Sequence, residues 1–114
     1  KIMITNTENT PHYTWGNHCD AWTLIQSDQV IIKEEKMPLN TEEQTHYHNE
    51  TAQFFYILEG VATFLLNKKE IVVKQNEGIK IEKKQFHKIC NRHSEYLRFL
   101  VISFPGNPMD RINL

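Results

Sequence analysis

The segment Gln53-Phe54-Phe55-Tyr56-Ile57-Leu58 leaves little choice but a β-strand. Aromatic and β-branched side chains suit a pleated, half-buried surface, and the run is too short for a stable helix. Glu59-Gly60 ends it and Val61-Ala62-Thr63-Phe64-Leu65-Leu66 repeats the texture. Similar runs recur along the chain. Ala21-Trp22-Thr23-Leu24-Ile25 and Val30-Ile31-Ile32 flank the turn-like Ser27-Asp28-Gln29 and read as a hairpin. Ile71-Val72-Val73 follows the polar turn Asn67-Lys68-Lys69-Glu70, and Ile79-Lys80-Ile81 follows Asn76-Glu77-Gly78. Residues 87–90 and 96–104 add two strands around Asn91-Arg92-His93-Ser94. Met37-Pro38-Leu39-Asn40 marks a strand end, because proline removes a ladder donor. No window combines a helical period with a cap and a C-terminal glycine. About eight short strands with turns between them predict an all-β sandwich or barrel.

A chain of 114 residues fits one domain. Within it, residues 1–20 read as an N-terminal arm or edge strand, 21–104 as the barrel and 105–114 as a C-terminal tail. The formal net charge is −1, with basic and acidic residues interspersed. No basic field is offered to nucleic acid or to a membrane surface, and neither partner is expected. Cys19 and Cys90 form no CxxC pair and read as two free thiols in a reducing compartment. No apolar run reaches the roughly 20 residues of a membrane span, and no secretion signal is read. The cytoplasm is the expected location.

The chemistry concentrates in Thr45-His46-Tyr47-His48. On a strand, residues i and i+2 share a face, so both imidazoles point toward one place. Gln53 opens the strongest strand, and His87 opens another far along the chain. Three histidines and one oxygen donor inside a barrel suit one divalent transition metal: zinc, nickel, manganese or iron. Buried without a metal, each ring nitrogen would need another partner.

These residues resemble the two motifs of the cupin family over residues 22–104. The first motif is His-x-His, four residues, Glu, six residues, Gly; here it reads His46-Tyr47-His48, then Gln53, then Gly60. The second ends in Pro-x-Gly, two residues, His, three residues, Asn; here His87 and Asn91 keep their places, while Glu82 and Lys84 stand where the motif has Pro and Gly. Only three residues separate Gly78 from Glu82. The resemblance implies a double-stranded β-helix, or jelly-roll barrel, metal ligation by His46, His48, Gln53 and His87, and a homodimer. Some small cupins with a His, His, Gln, His set act on sugar-derived acids. A neutral amide in place of Glu leaves the ion its full +2 charge and removes one obvious general base.

The expected function is therefore a metal-dependent enzyme acting on a small polar metabolite, such as a sugar or sugar acid, by isomerisation or tautomerisation. An iron-dependent dioxygenase and a non-catalytic small-molecule binding module are the alternatives. Glu50 shares the parity of His46 and His48 and is a further carboxylate near the site. Phe55 and Ile57 share the parity of Gln53 and are expected inside, whereas Phe54, Tyr56 and Leu58 face a second layer or a partner subunit. Trp15, Trp22, Phe64, Phe86 and Phe104 are read as core residues or as the rim of a pocket. Asp110 and Arg111 are read as a surface ion pair, and His12, His18 and His93 as surface residues.

Overall fold

The computed structural model describes residues 3–114; Lys1 and Ile2, the first residues of the expected arm, lie outside the described residues. Its strands are β1 (His12–Trp15), β2 (Cys19–Gln26), β3 (Ile31–Pro38), β4 (Thr41–Glu42), β5 (His46–His48) and β6 (Ala52–Glu59). They continue as β7 (Ala62–Leu66), β8 (Lys69–Val73), β9 (Gly78–Ile81), β10 (His87–Asn91), β11 (Tyr96–Phe104) and β12 (Arg111–Asn113). One sheet runs β1-β2-β3-β11-β6-β9; the other runs β12-β5-β10-β7-β8, with β4 also on β10. Every pairing is antiparallel.

β6 and β7 follow each other in sequence but belong to opposite sheets, so Gly60 turns a corner of the barrel. Its φ is +89°, and a Cβ there would stand 2.7 Å from the Tyr96 carbonyl oxygen and 2.9 Å from Ser94 Oγ. Only glycine accepts both that conformation and that approach. The corner lets the inward faces of β6 and β7 oppose each other. Phe55 and Phe64 meet edge-on with centroids 5.1 Å apart, and Phe99 of β11 packs at 5.7 Å from Phe55. Phe55, Ile57, Phe64, Ile81, Ile89, Leu97 and Phe99 are all buried. Each contributes roughly 1.5–3 kcal/mol by leaving water.

The expected inward parity of β6 is observed, with Phe55 and Ile57 inside and Phe54, Tyr56 and Leu58 half-buried on the outer face. The expected hairpin is β2–β3, but β3 continues through Lys33-Glu34-Glu35-Lys36 to Pro38. Its inner face therefore carries Ile31, Lys33, Glu35 and Met37 in alternation, two of them charged. The outer face is neutralised by pairing: Arg98 Nη2 lies 2.8 Å from Glu34 and Nη1 lies 3.5 Å from Glu59. The segment after residue 104 returns to the body of the molecule, where β12 pairs with β5 (Arg111↔His48, Asn113↔His46). Both cysteines are buried and free. No helix among the described residues is long and apolar enough to cross a membrane.

Candidate metal centre

Strand starts gather at one end of the barrel. His46 begins β5, His87 begins β10, and the two are direct cross-strand partners. His48 is two residues on, and Gln53 near the start of β6 pairs with Ser103 near the end of β11. The structure thus brings together all four residues singled out from the sequence. The His46 and His87 ring centroids are 4.3 Å apart, His46 and His48 5.2 Å, and His48 and His87 5.8 Å. One nitrogen from each ring lies within 4.8 Å of the others.

Hydrogen bonding sets which nitrogens remain free. His46 Nδ1 donates to the Gln44 carbonyl at 2.9 Å, and His87 Nδ1 donates to the Gln85 carbonyl at 2.8 Å. In each neutral ring Nε2 then carries a lone pair. Gln53 Nε2 donates to Ser103 Oγ at 3.0 Å, which places Oε1 only 3.2 Å from His87 Nε2. Two acceptors face each other across that gap. Moreover, both ring nitrogens of His48 are buried without a hydrogen bond of regular geometry, the Gln53 amide lying near. Unpaired buried nitrogens and converging lone pairs are costly unless a cation joins them, so this donor set fits a divalent metal ion.

Electrostatics favour the same state. Burial, reinforced by the Arg111 charge, lowers the His46 pKa to about 4. Burial and the neighbouring His46 lower His87 to about 4. His48 is also lowered, chiefly by burial. At neutral pH all three are uncharged imidazoles, the form that ligates.

The turn that delivers His87 forms despite the substitutions at Glu82 and Lys84. Lys84 adopts φ +66°, the left-handed conformation for which the family motif uses glycine. Hydrogen bonds hold it there: Glu82 N donates to Gln85 Oε1 at 2.7 Å and Lys84 N donates to the His48 carbonyl at 2.7 Å. Asn91, the motif asparagine, is fully buried; its Nδ2 donates to the Met37 carbonyl at 2.8 Å and the Ser94 carbonyl at 3.0 Å.

The site opens into a cavity of about 390 Å³ whose lining includes Trp15, Lys33, Glu35, Glu43, His46, His48, Gln53, Ser103 and Arg111. That volume suits a small metabolite. Sequence reasoning missed Glu35 and Glu43. The signal for Glu35 was its parity with Ile31 and Met37 across a charged tetrapeptide. Glu43 accepts from Ile89 N at 3.1 Å and lies 3.4 Å from Arg111 Nη1. Asp110 and Arg111 do not form the surface pair expected of them. Asp110 is buried and accepts from the backbone N–H groups of Asn49 (3.3 Å), Glu50 (2.9 Å) and Thr51 (3.0 Å). Burial opposes its charge, but those donors outweigh it and hold the carboxyl below its ordinary range. Glu50 is exposed and lies outside the histidine cluster. Of the candidate rim aromatics, Trp15 lines the cavity, Phe64 is core, and Phe86 and Phe104 are exposed.

A two-sheet antiparallel barrel with inward histidines at one end is the architecture of a cupin. The chain belongs to that family: the family model described as "Cupin domain" matches residues 33–103. Among curated proteins none matches the chain. Solved structures share the fold at low identity. A predicted oxalate decarboxylase from Thermotoga maritima is 18% identical with a TM-score of 0.83, covering 90% of this chain and 99% of that one. The polyketide cyclase RemF from Streptomyces resistomycificus is 19% identical with a TM-score of 0.83, covering 100% and 86%. A cupin-superfamily sugar phosphate isomerase from Silicibacter pomeroyi is 15% identical with a TM-score of 0.78, covering 90% and 75%.

Proposed function

We propose that this protein is a metal-dependent enzyme that isomerises or tautomerises a small polar metabolite, a sugar or sugar acid being the favoured class. His46, His48, Gln53 and His87 would hold one divalent ion. The observation that carries the reading is His48, whose two buried ring nitrogens have no hydrogen bond of regular geometry, only the Gln53 amide lying near, beside a cavity of metabolite size. A divalent ion bound there supplies Lewis-acid polarisation of a carbonyl or hydroxyl oxygen. The rest is done by the chain: the Gln44 and Gln85 carbonyls fix the tautomers of His46 and His87, and Ser103 orients the Gln53 amide. That sugar phosphate isomerase and polyketide cyclase activities are named for fold relatives supports an enzymatic reading of the pocket.

Elemental analysis of purified protein should find about one equivalent of a transition metal, and His48→Ala should lose it while retaining the β-sheet signal in circular dichroism. Metal-free wild-type protein with full turnover on a sugar-acid panel would reject the reading. Activity equal with and without dioxygen separates it from an oxidative one. We further propose a homodimer assembled through the outer faces of β6 and β11, where Phe54, Tyr56, Leu58, Leu100 and Ile102 are half-buried in the single chain. Sedimentation of wild type against Tyr56→Glu tests that arrangement.

A further inference from the structure

Among the described residues, Glu35 is a carboxyl group with no ion pair, its one polar neighbour of hydrogen-bonding type being the Trp15 indole. It stands on the inner face of β3 and lines the cavity that also receives His46, His48 and Gln53. No described residue forms an ion pair or a hydrogen bond of ordinary geometry with it, whereas the neighbouring Glu43 is held by Ile89 N and Arg111. An inward acid in the middle of a core strand is costly to keep unless it has a use. The indole Nε1 of Trp15, buried and likewise without a regular partner, lies near enough to favour its charged form.

We propose that Glu35 is the proton-carrying catalytic residue of this cavity, acting on a small carbonyl compound that bears a hydrogen on the adjacent carbon. The assignment rests on the reading of the cavity as an enzymatic site. As carboxylate, Glu35 accepts the proton from that carbon. The C–H electron pair becomes the new C=C bond, and the carbonyl π pair moves onto oxygen. Glu35, its proton exchanged with solvent, then returns a proton to the same carbon as the C=C pair takes it up and the oxygen pair re-forms C=O, so that hydrogen is exchanged and nothing is added, removed, oxidised or reduced. The loss of the motif glutamate at Gln53 is thereby made good from a different strand.

The surroundings suit a base of raised strength. Burial and the Glu43 charge raise the Glu35 pKa to about 8, against the opposing Lys33, Trp15 and Arg111. Tyr13 and Trp15 face the cavity from β1, Cys19 and Asp20 lie on the adjacent β2, and β11 presents only Phe99 at the paired position. The groups that shift it most are Glu43, Lys33, Trp15 and Arg111, none of them a candidate metal ligand. A base with a pKa near the working pH removes a carbon-bound proton more readily than an ordinary carboxylate.

The test is deuterium wash-in from D2O, followed by proton NMR, using zinc-, nickel- and manganese-loaded protein. The probes are dihydroxyacetone, glycolaldehyde, pyruvate and 2-oxoglutarate. Wild type should exchange at least one probe, with a rate rising with pH through about 8. Glu35→Gln should lose on the order of 100-fold or more, together with that pH limb, and Glu35→Asp should restore part of both. Infrared spectroscopy of wild type should show a protonated-carboxyl band at pH 7 that Glu35→Gln lacks. Exchange by Glu35→Gln at the wild-type rate, no exchange of any probe by wild type, or absence of the band overturns the assignment. Metal affinity, measured by calorimetry on both proteins, reports separately: a protein that binds no metal yet exchanges through Glu35 overturns only the metal reading.

Discussion

The imidazole wall and the carboxyl wall of the cavity are desolvated alike, yet burial moves them in opposite directions. His46 and His87 fall to about 4, whereas Glu35 rises to about 8 and Glu43 also rises. In both cases the charged form is what burial penalises. For histidine the surviving neutral form offers a lone pair, and three such rings meet with Gln53. For glutamate the surviving neutral form holds a proton. One cause thus equips β3 of one sheet and β5 and β10 of the other for two tasks, and it is the imidazole side whose lone pairs an ion would satisfy.

Removing a ring should break the contrast most severely. His46→Ala or His87→Ala should lower metal affinity by on the order of 1000-fold, about 4 kcal/mol, in isothermal calorimetry. Glu35→Gln should leave that affinity within a few-fold of wild type. Equal losses from both walls would show that they form a single ligand set.

The pH dependence of stability should separate the walls next. The rings have folded pKa values below the unfolded 6.5, so the unfolded chain takes up protons first as pH falls. Their contribution to metal-free stability is present above pH 6.5 and is lost as pH falls through about 4. Glu35 has the reverse sign: its folded pKa lies above the unfolded 4.5, so its contribution is present below pH 4.5 and is lost as pH rises through about 8. Between pH 6.5 and 8 only the carboxyl wall changes. Thermal melts of metal-free wild type should fall across that window, and those of Glu35→Gln should be flatter.

Smaller changes sharpen the comparison from the support of the imidazole wall. Asp110→Ala strips the acceptor from three backbone N–H groups beside His48 and should cost about 1–3 kcal/mol in urea melts. Metal affinity should fall about 10-fold with it, as the loop loses its anchor. Lys84→Gly relieves the left-handed strain in the turn before His87 and should gain at most about 1 kcal/mol, since glycine's extra chain entropy offsets part of the relief. Neither change should move the alkaline limb set by Glu35.

The sequence made one wall legible and hid the other. His46, His48, Gln53 and His87 sit at motif spacings, and Phe55 and Ile57 declare the inner face of β6 by period-2 alternation. Lys33-Glu34-Glu35-Lys36 carries no such alternation of polarity, because its inward residues face a cavity and not packed side chains. A strand that lines a polar cavity reads as a loop until its neighbours are known. Glu43 and Asp110 were hidden for a second reason. Their partners are Ile89, Arg111 and the Asn49–Thr51 backbone, contacts between segments far apart in the chain that no local pattern records. Lys84 shows the converse: a motif position lost its expected glycine, yet side-chain and backbone hydrogen bonds keep the turn.

The pairing of β12 with β5 has a practical consequence for anyone handling this protein. Arg111 and Asn113 stand beside His48 and His46 in the ladder, and Arg111 also touches Glu43. A purification tag, fluorophore or deletion introduced at those residues therefore edits the binding chamber itself, and assays should use material in which that stretch is left native.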